Sequence, residues 1–129
     1  MPPSRMPNGS CGSAVIRWAD PEAVDRAVRG FARSLLASHP EVRRVYWYGS
    51  WVTGIPTPSS DVDLCVVVSH DSRRPRDRIP DYLPERFPTG VDLTVLTEEE
   101  LHELQGRSPA WYRAIIEGRE VGAEVRADA

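Results

Sequence analysis

Gly49-Ser50-Trp51-Val52-Thr53-Gly54-Ile55-Pro56-Thr57-Pro58-Ser59-Ser60-Asp61-Val62-Asp63-Leu64-Cys65-Val66-Val67-Val68 is the stretch on which the fold turns. It ends in a continuous apolar run, the pattern of a strand covered on both faces. Two aspartates open that run at positions i and i+2, so a strand directs both side chains to one face. Like charges placed beside a core are costly, and each raises the pKa of the other. A divalent cation offsets that cost. Oxygen ligands with no His or Cys nearby suit Mg²⁺, which is held by carboxylates together with substrate phosphates.

Upstream, Val42 to Tyr48 (Val-Arg-Arg-Val-Tyr-Trp-Tyr) reads as the first strand, being β-branched and aromatic. Gly49-Ser50 breaks it. The glycine lets backbone approach a phosphate closely. Ser50 opens a short helical turn with free N–H groups and offers a hydroxyl to a phosphate oxygen. A Pro-rich loop through Pro56 and Pro58 then leads to the second strand, Asp61 to Val68. Val91 to Leu96 (Val-Asp-Leu-Thr-Val-Leu) is the third strand, and Asp92 repeats the oddity of a carboxylate near the start of an apolar strand. If the strands of Asp63 and Asp92 are neighbours, Asp61, Asp63 and Asp92 converge and hold two metals roughly 4 Å apart, the spacing that serves in-line phosphoryl transfer. Asp92 is then expected to act on the attacking hydroxyl, as ligand or as proton acceptor.

Further elements follow from local signals. Asp20-Pro21-Glu22 starts a helix, with Asp as cap and Pro at the first helical position. Val24, Ala27, Val28, Phe31, Leu35 and Leu36 form its apolar stripe, and Pro40 ends it near Ser38-His39. Between 69 and 90, four prolines leave room for a short helix between Asp77 and Phe87. Thr97-Glu98-Glu99-Glu100 predicts a capping box that opens a helix to about Gln105. Pro109 to Glu117 is a further helix stopped by Gly118. Glu120 to Val125 reads as a last edge strand. Residues 1–19, rich in Pro, Ser and Gly, read as a flexible N-terminal segment, and 20–129 as one domain.

The order Gly-Ser, ten residues, Asp-x-Asp, and a later strand-borne Asp resembles the minimal nucleotidyltransferases of the DNA polymerase β superfamily, from about Pro40 to Val125. The resemblance implies an α/β (α+β) fold with a small mixed sheet flanked by helices. It implies a nucleotide cradle at Gly49 and Ser50 and a catalytic, two-Mg²⁺ site at Asp61, Asp63 and Asp92. The implied reaction transfers a nucleoside monophosphate from an NTP, commonly ATP, to an acceptor hydroxyl. Larger relatives add a helical domain for the acceptor. Bacterial minimal domains often pair with a HEPN-family toxin and act as antitoxin by attaching AMP to it, and that is the expected setting. The alternatives are a non-catalytic antitoxin that works by contact, with Trp111 and Tyr112 as its surface, and a stand-alone enzyme acting on a small molecule such as an aminoglycoside. For that last role a homo-oligomer would build the pocket between subunits.

Where many relatives carry Ala-Arg-Gly after Gly-Ser, this chain has Trp51-Val52-Thr53-Gly54. Arg43, Arg44 or an arginine between Arg73 and Arg78 is then the expected substitute for neutralising the triphosphate. Trp51 is a candidate for base contact. His39, His70 and His102 read as surface residues.

Bulk properties narrow the classes. The 129 residues contain no lysine, which excludes a lysine nucleophile or a P-loop lysine. A formal charge of −3 argues against a dedicated nucleic-acid binder, and the run Arg73, Arg74, Arg76, Arg78 reads as a solvated loop. Cys11 and Cys65 make no disulfide framework or metal spacing. With no apolar run near 18 residues and no apolar leader, a cytoplasmic chain is expected.

Overall fold

The computed structural model describes residues 20–54 and 61–127. The segment 1–19 and the Pro-rich loop at 55–60, Cys11 among them, lie outside the described residues. Helix α1 (Pro21–Ser38) leads into strand β1 (Val42–Tyr48) and a four-residue helix α2 (Ser50–Thr53). Strand β2 (Val62–Val68), helix α3 (Pro75–Tyr82) and strand β3 (Val91–Thr97) follow. Helices α4 (Glu98–Arg107) and α5 (Pro109–Ile116), the two-residue strand β4 (Arg119–Glu120) and helix α6 (Glu124–Ala127) complete the order.

The local signals account for most of these elements. Asp20 accepts a hydrogen bond from the Glu22 N–H, and Pro21 occupies the first helical position of α1. Thr97 and Glu100 form the capping box of α4 with both reciprocal bonds present. That exchange satisfies two backbone N–H groups that a helix start otherwise leaves open.

Four strands make one mixed sheet in the order β3-β2-β1-β4. β1 runs antiparallel to β2 and to β4, whereas β2 and β3 run parallel. The parallel pair needs a crossover, which α3 supplies. One face carries Val45, Trp47, Val62, Leu64, Val66, Leu93 and Val95, packed against Val24, Val28, Ala32, Leu35 and Leu36 of α1 and Tyr82 of α3. The opposite face carries Tyr46, Cys65, Val67 and Leu96 beneath Leu104 of α4 and Ile115 of α5. β2 is thus covered on both sides, as its apolar run requires. Cys65 lies in the second layer, where burial pushes its thiol up to about 12.

Two sequence expectations need correction. The crossover helix begins at Pro75 and ends at Tyr82, rather than lying between Asp77 and Phe87. Proline at the first helical position starts it, and Pro84 forces Leu83 into extended geometry, which stops it. The expected edge strand from Glu120 to Val125 is only Arg119–Glu120. The chain turns at Gly122, whose φ is +80°, and a side chain there would strike Ala32 and Leu36 of α1. The remainder forms α6, tied to α1 by Arg33–Glu124 and by Arg126 donating to the carbonyls of Leu36 and His39.

Arg78 also departs from expectation. It is buried, not part of a solvated loop. Its guanidinium donates to the carbonyls of Asp71, Arg73 and Val95 and to the Glu100 carboxylate, joining the crossover to β3 and α4. A buried charge is tolerable when all its donors are matched in this way.

Candidate active site

The register of the sheet decides whether the aspartates can meet. Asp63 opposes Asp92 across the parallel β2–β3 pair, and Tyr48 opposes Asp63 across β1–β2. Directly opposed residues share a face. Tyr48, Asp63 and Asp92 therefore form one row across three strands, on the face that α4 and α5 cover further along. Asp61 stands just before β2, exposed, and Asp92 is exposed as well, whereas Asp63 is half-buried.

The three carboxylates interact. Burial raises the pKa of Asp63 above the ordinary carboxylate value, and the charges of Asp92 and Asp61 raise it further. Such crowding of like charge favours a cation. The donor set is all oxygen, which fits a hard divalent ion. Among the described residues, no three acidic, His or Cys side chains are already closed into a metal-holding group. The backbone register brings the strand-borne donors Asp63 and Asp92 side by side.

Two glycines press on this row. Gly49 has φ +90° and ψ −161°, a region open essentially to glycine alone. A Cβ there would lie 2.0 Å from Oδ2 of Asp63. Gly90, just before β3, would place a Cβ 2.2 Å from Oδ1 of Asp61, and its carbonyl accepts the Val62 N–H at 2.9 Å. Close approach of backbone to both carboxylates is thus built in. Ser50 follows Gly49 as the first residue of α2 and is partly exposed.

Beside the row, Tyr48 is partly buried, and burial raises its phenol above the ordinary value. Trp111 of α5 opposes that rise, because its indole N–H donates to the Tyr48 hydroxyl at 3.2 Å. The Thr94 side chain, two residues after Asp92 on the same face, acts on the phenol in the same sense as Trp111. Trp111 remains 38% exposed.

Other expectations fare differently. Arg44 opposes Val67, four positions along β2 from Asp63, or roughly 13 Å at the usual strand rise. Arg43 pairs with Glu98. Arg73 is matched to Asp71 and Asp81, and Arg74 to Asp77, in the crossover that leaves the far end of β2. The arginines proposed from sequence therefore stand at the wrong end of the sheet to meet a phosphate at Gly49. Arg119 opposes Trp47, nearer the carboxylate end, but on the other face from Asp63 and with its guanidinium 5.7 Å over the Trp47 ring. Trp51, the sequence's candidate for base contact, packs instead against the α1 side of the core. His70 and His102 are exposed, and His39 lies against the Tyr82 ring at 5.3 Å.

Gly90, Tyr48, Thr94 and Trp111 escape sequence reasoning. A glycine directly before an aspartate-bearing strand was a usable signal for Gly90. The meeting of Trp111 with Tyr48, 63 residues apart, had none.

A family model described as nucleotidyltransferase domain matches residues 28–119, a span that holds the whole row and both glycines. The chain belongs to that family. The crystal structure of a proposed nucleotidyltransferase from Sulfolobus solfataricus is similar, with a TM-score of 0.52 at 22% identity. The match covers 64% of this chain and 75% of that one. At such identity the likeness concerns the fold, a mixed sheet flanked by helices. No curated protein shows significant similarity. Among the described residues, no helix of this nucleotidyltransferase domain is long and apolar enough to cross a membrane.

Proposed function

We propose that the chain is a catalytically active, Mg²⁺-dependent nucleotidyltransferase that moves AMP from ATP to a hydroxyl of a protein partner. The observation that carries the reading is the alignment of Asp63 with Asp92 on one face, with Asp61 two residues ahead and Gly49 pressed against Asp63.

In this reading Asp61, Asp63 and Asp92 would together hold the divalent cations, with Asp92 serving the attacking hydroxyl. When bound, the cations supply charge neutralisation and lower the pKa of the attacking hydroxyl. Gly49 gives the triphosphate room to approach the backbone, and the Ser50 hydroxyl donates to a phosphate oxygen. The acceptor oxygen bonds to the α-phosphorus, and the bond from that phosphorus to the bridging oxygen breaks. Pyrophosphate leaves with the electron pair, and Asp92 receives the acceptor proton.

The partner of this reading is a small HEPN-type toxin, with the modification serving as antitoxin action in the cytoplasm. Support comes from the family and from the motif spacing. The test is incubation with labelled ATP, Mg²⁺ and the co-expressed partner. Wild-type protein should label the partner, and the double substitution Asp61→Asn, Asp63→Asn should lose labelling by several orders of magnitude. Neutralisation that survives the double substitution would instead establish a contact antitoxin. Labelling of an aminoglycoside by the chain alone would establish a small-molecule enzyme.

A further inference from the structure

From the position of Trp111 beside the carboxylate row, we infer that it is the nucleobase platform of the site, a specificity-determining residue that stacks on the base of the bound nucleotide. The inference rests on the proposed nucleotidyl transfer and deepens it.

Three observations converge. First, aromatic residues crowd this end of the sheet, yet Trp47 is buried in the core and Trp51 packs against it. Trp111 keeps 38% of its surface exposed, although it belongs to a helix whose Ile115 is fully buried. Second, it is tethered. The indole N–H donates to the Tyr48 hydroxyl at 3.2 Å, which narrows the attitudes open to the ring before any ligand arrives. A platform that is already oriented loses little freedom on binding. Third, Tyr48 directly precedes Gly49 and opposes Asp63, which places the tether against the row that would hold the phosphates.

A flat π surface next to a phosphate site suits a planar heterocycle, because every base offers a π face. The contact is tolerant of sequence and base identity. Trp111 would therefore favour nucleoside triphosphates over inorganic chains without selecting strongly among bases. The triphosphate itself gains nothing from the indole, which carries no charge.

The experiment compares Mg²⁺-dependent binding of ATP and of inorganic tripolyphosphate by calorimetry, in wild type and in Trp111→Ala, Trp111→Leu and Trp111→Phe. The deciding quantity is the ratio of the two affinities, which cancels a general loss of structure. Base stacking of the usual strength corresponds to roughly 5- to 150-fold in affinity. Alanine and leucine should lower the ratio by about tenfold or more, and phenylalanine, which keeps a ring, should lower it by less. Tyr48→Phe should lower it slightly, since it frees the indole. An unchanged ratio in both the alanine and leucine variants overturns the platform while leaving the site reading intact. If wild-type protein binds neither ATP nor tripolyphosphate, the site reading itself fails and the platform with it.

Discussion

Replacing Gly49 with alanine isolates the contact on which the site depends. The backbone at Gly49 sits at φ +90°, ψ −161°, so any side chain there costs about 1–3 kcal/mol in strain. The new methyl would also lie 2.0 Å from Oδ2 of Asp63, and that carboxylate must retreat by about 1 Å. Gly54 supplies the control. It too has a positive φ, +98°, but among the described residues a Cβ there meets nothing within 4 Å. Gly54→Ala should pay the strain alone, about 1–2 kcal/mol. Both variants should therefore melt lower, by roughly 3–5 °C per kcal/mol for a domain near this size. Only Gly49→Ala should lose chemistry, by roughly 10²-fold in transfer from labelled ATP, because a displacement near 1 Å at a reacting centre has that effect. Thermal melts by circular dichroism and transfer rates at saturating Mg²⁺ read the two quantities separately. Equal losses of rate in the two variants would refute the claim that Gly49 is there to leave space for Asp63.

The remaining predictions concern charge and capping. Asp63 has a raised pKa, so its ionisation opposes folding: its contribution favours the fold at acid pH and is lost as pH rises through that value. Asp63→Asn should therefore melt higher than wild type near neutral pH, with the gap closing as pH falls, whereas added Mg²⁺ should raise the wild-type Tm and leave the variant unmoved. Arg78→Ala should destabilise by about 3–5 kcal/mol in urea titrations, because it strands buried carbonyls and the Glu100 carboxylate together. Arg78→Lys should recover little, since an ammonium cannot span the same acceptors. Thr97→Ala removes half of the capping box and should cost about 1 kcal/mol by the same measurement.

The parts of this protein that were legible in its sequence are those decided within a few residues. Alternation assigns Asp61 and Asp63 to one face of a strand; the structure begins β2 at Val62, with Asp63 in the strand and Asp61 just ahead of it, while the capping box at Thr97 and Glu100 marked a helix start to the residue. β1 matched its reading from Val42 to Tyr48. The pairing of Asp63 with Asp92 was conditional in the sequence, because strand order is a non-local fact; register supplied it. What stayed hidden depends on distant contacts. Arg78 looks like its neighbours in a basic run, and only acceptors from three separate segments, carbonyls of the crossover loop and β3 and a carboxylate of α4, make its burial tolerable. The last strand was read too long because Gly122 turns there to avoid Ala32 and Leu36 of α1, which lie far earlier in the chain. The candidate phosphate-binding arginines failed because Arg43 and Arg44 begin the strand that Gly49 ends, and Arg73 to Arg78 follow the strand whose start carries Asp63.

Arg78 has a further consequence. Its guanidinium occupies the Val95 carbonyl on β3, the outermost strand on that side of the sheet. A foreign chain seeking to extend the ladder there would have to evict a sequestered cation and leave its counter-charges stranded. The same arginine that joins the crossover to the fold therefore guards this border against edgewise self-association, a hazard that a short open sheet otherwise carries into a crowded solution.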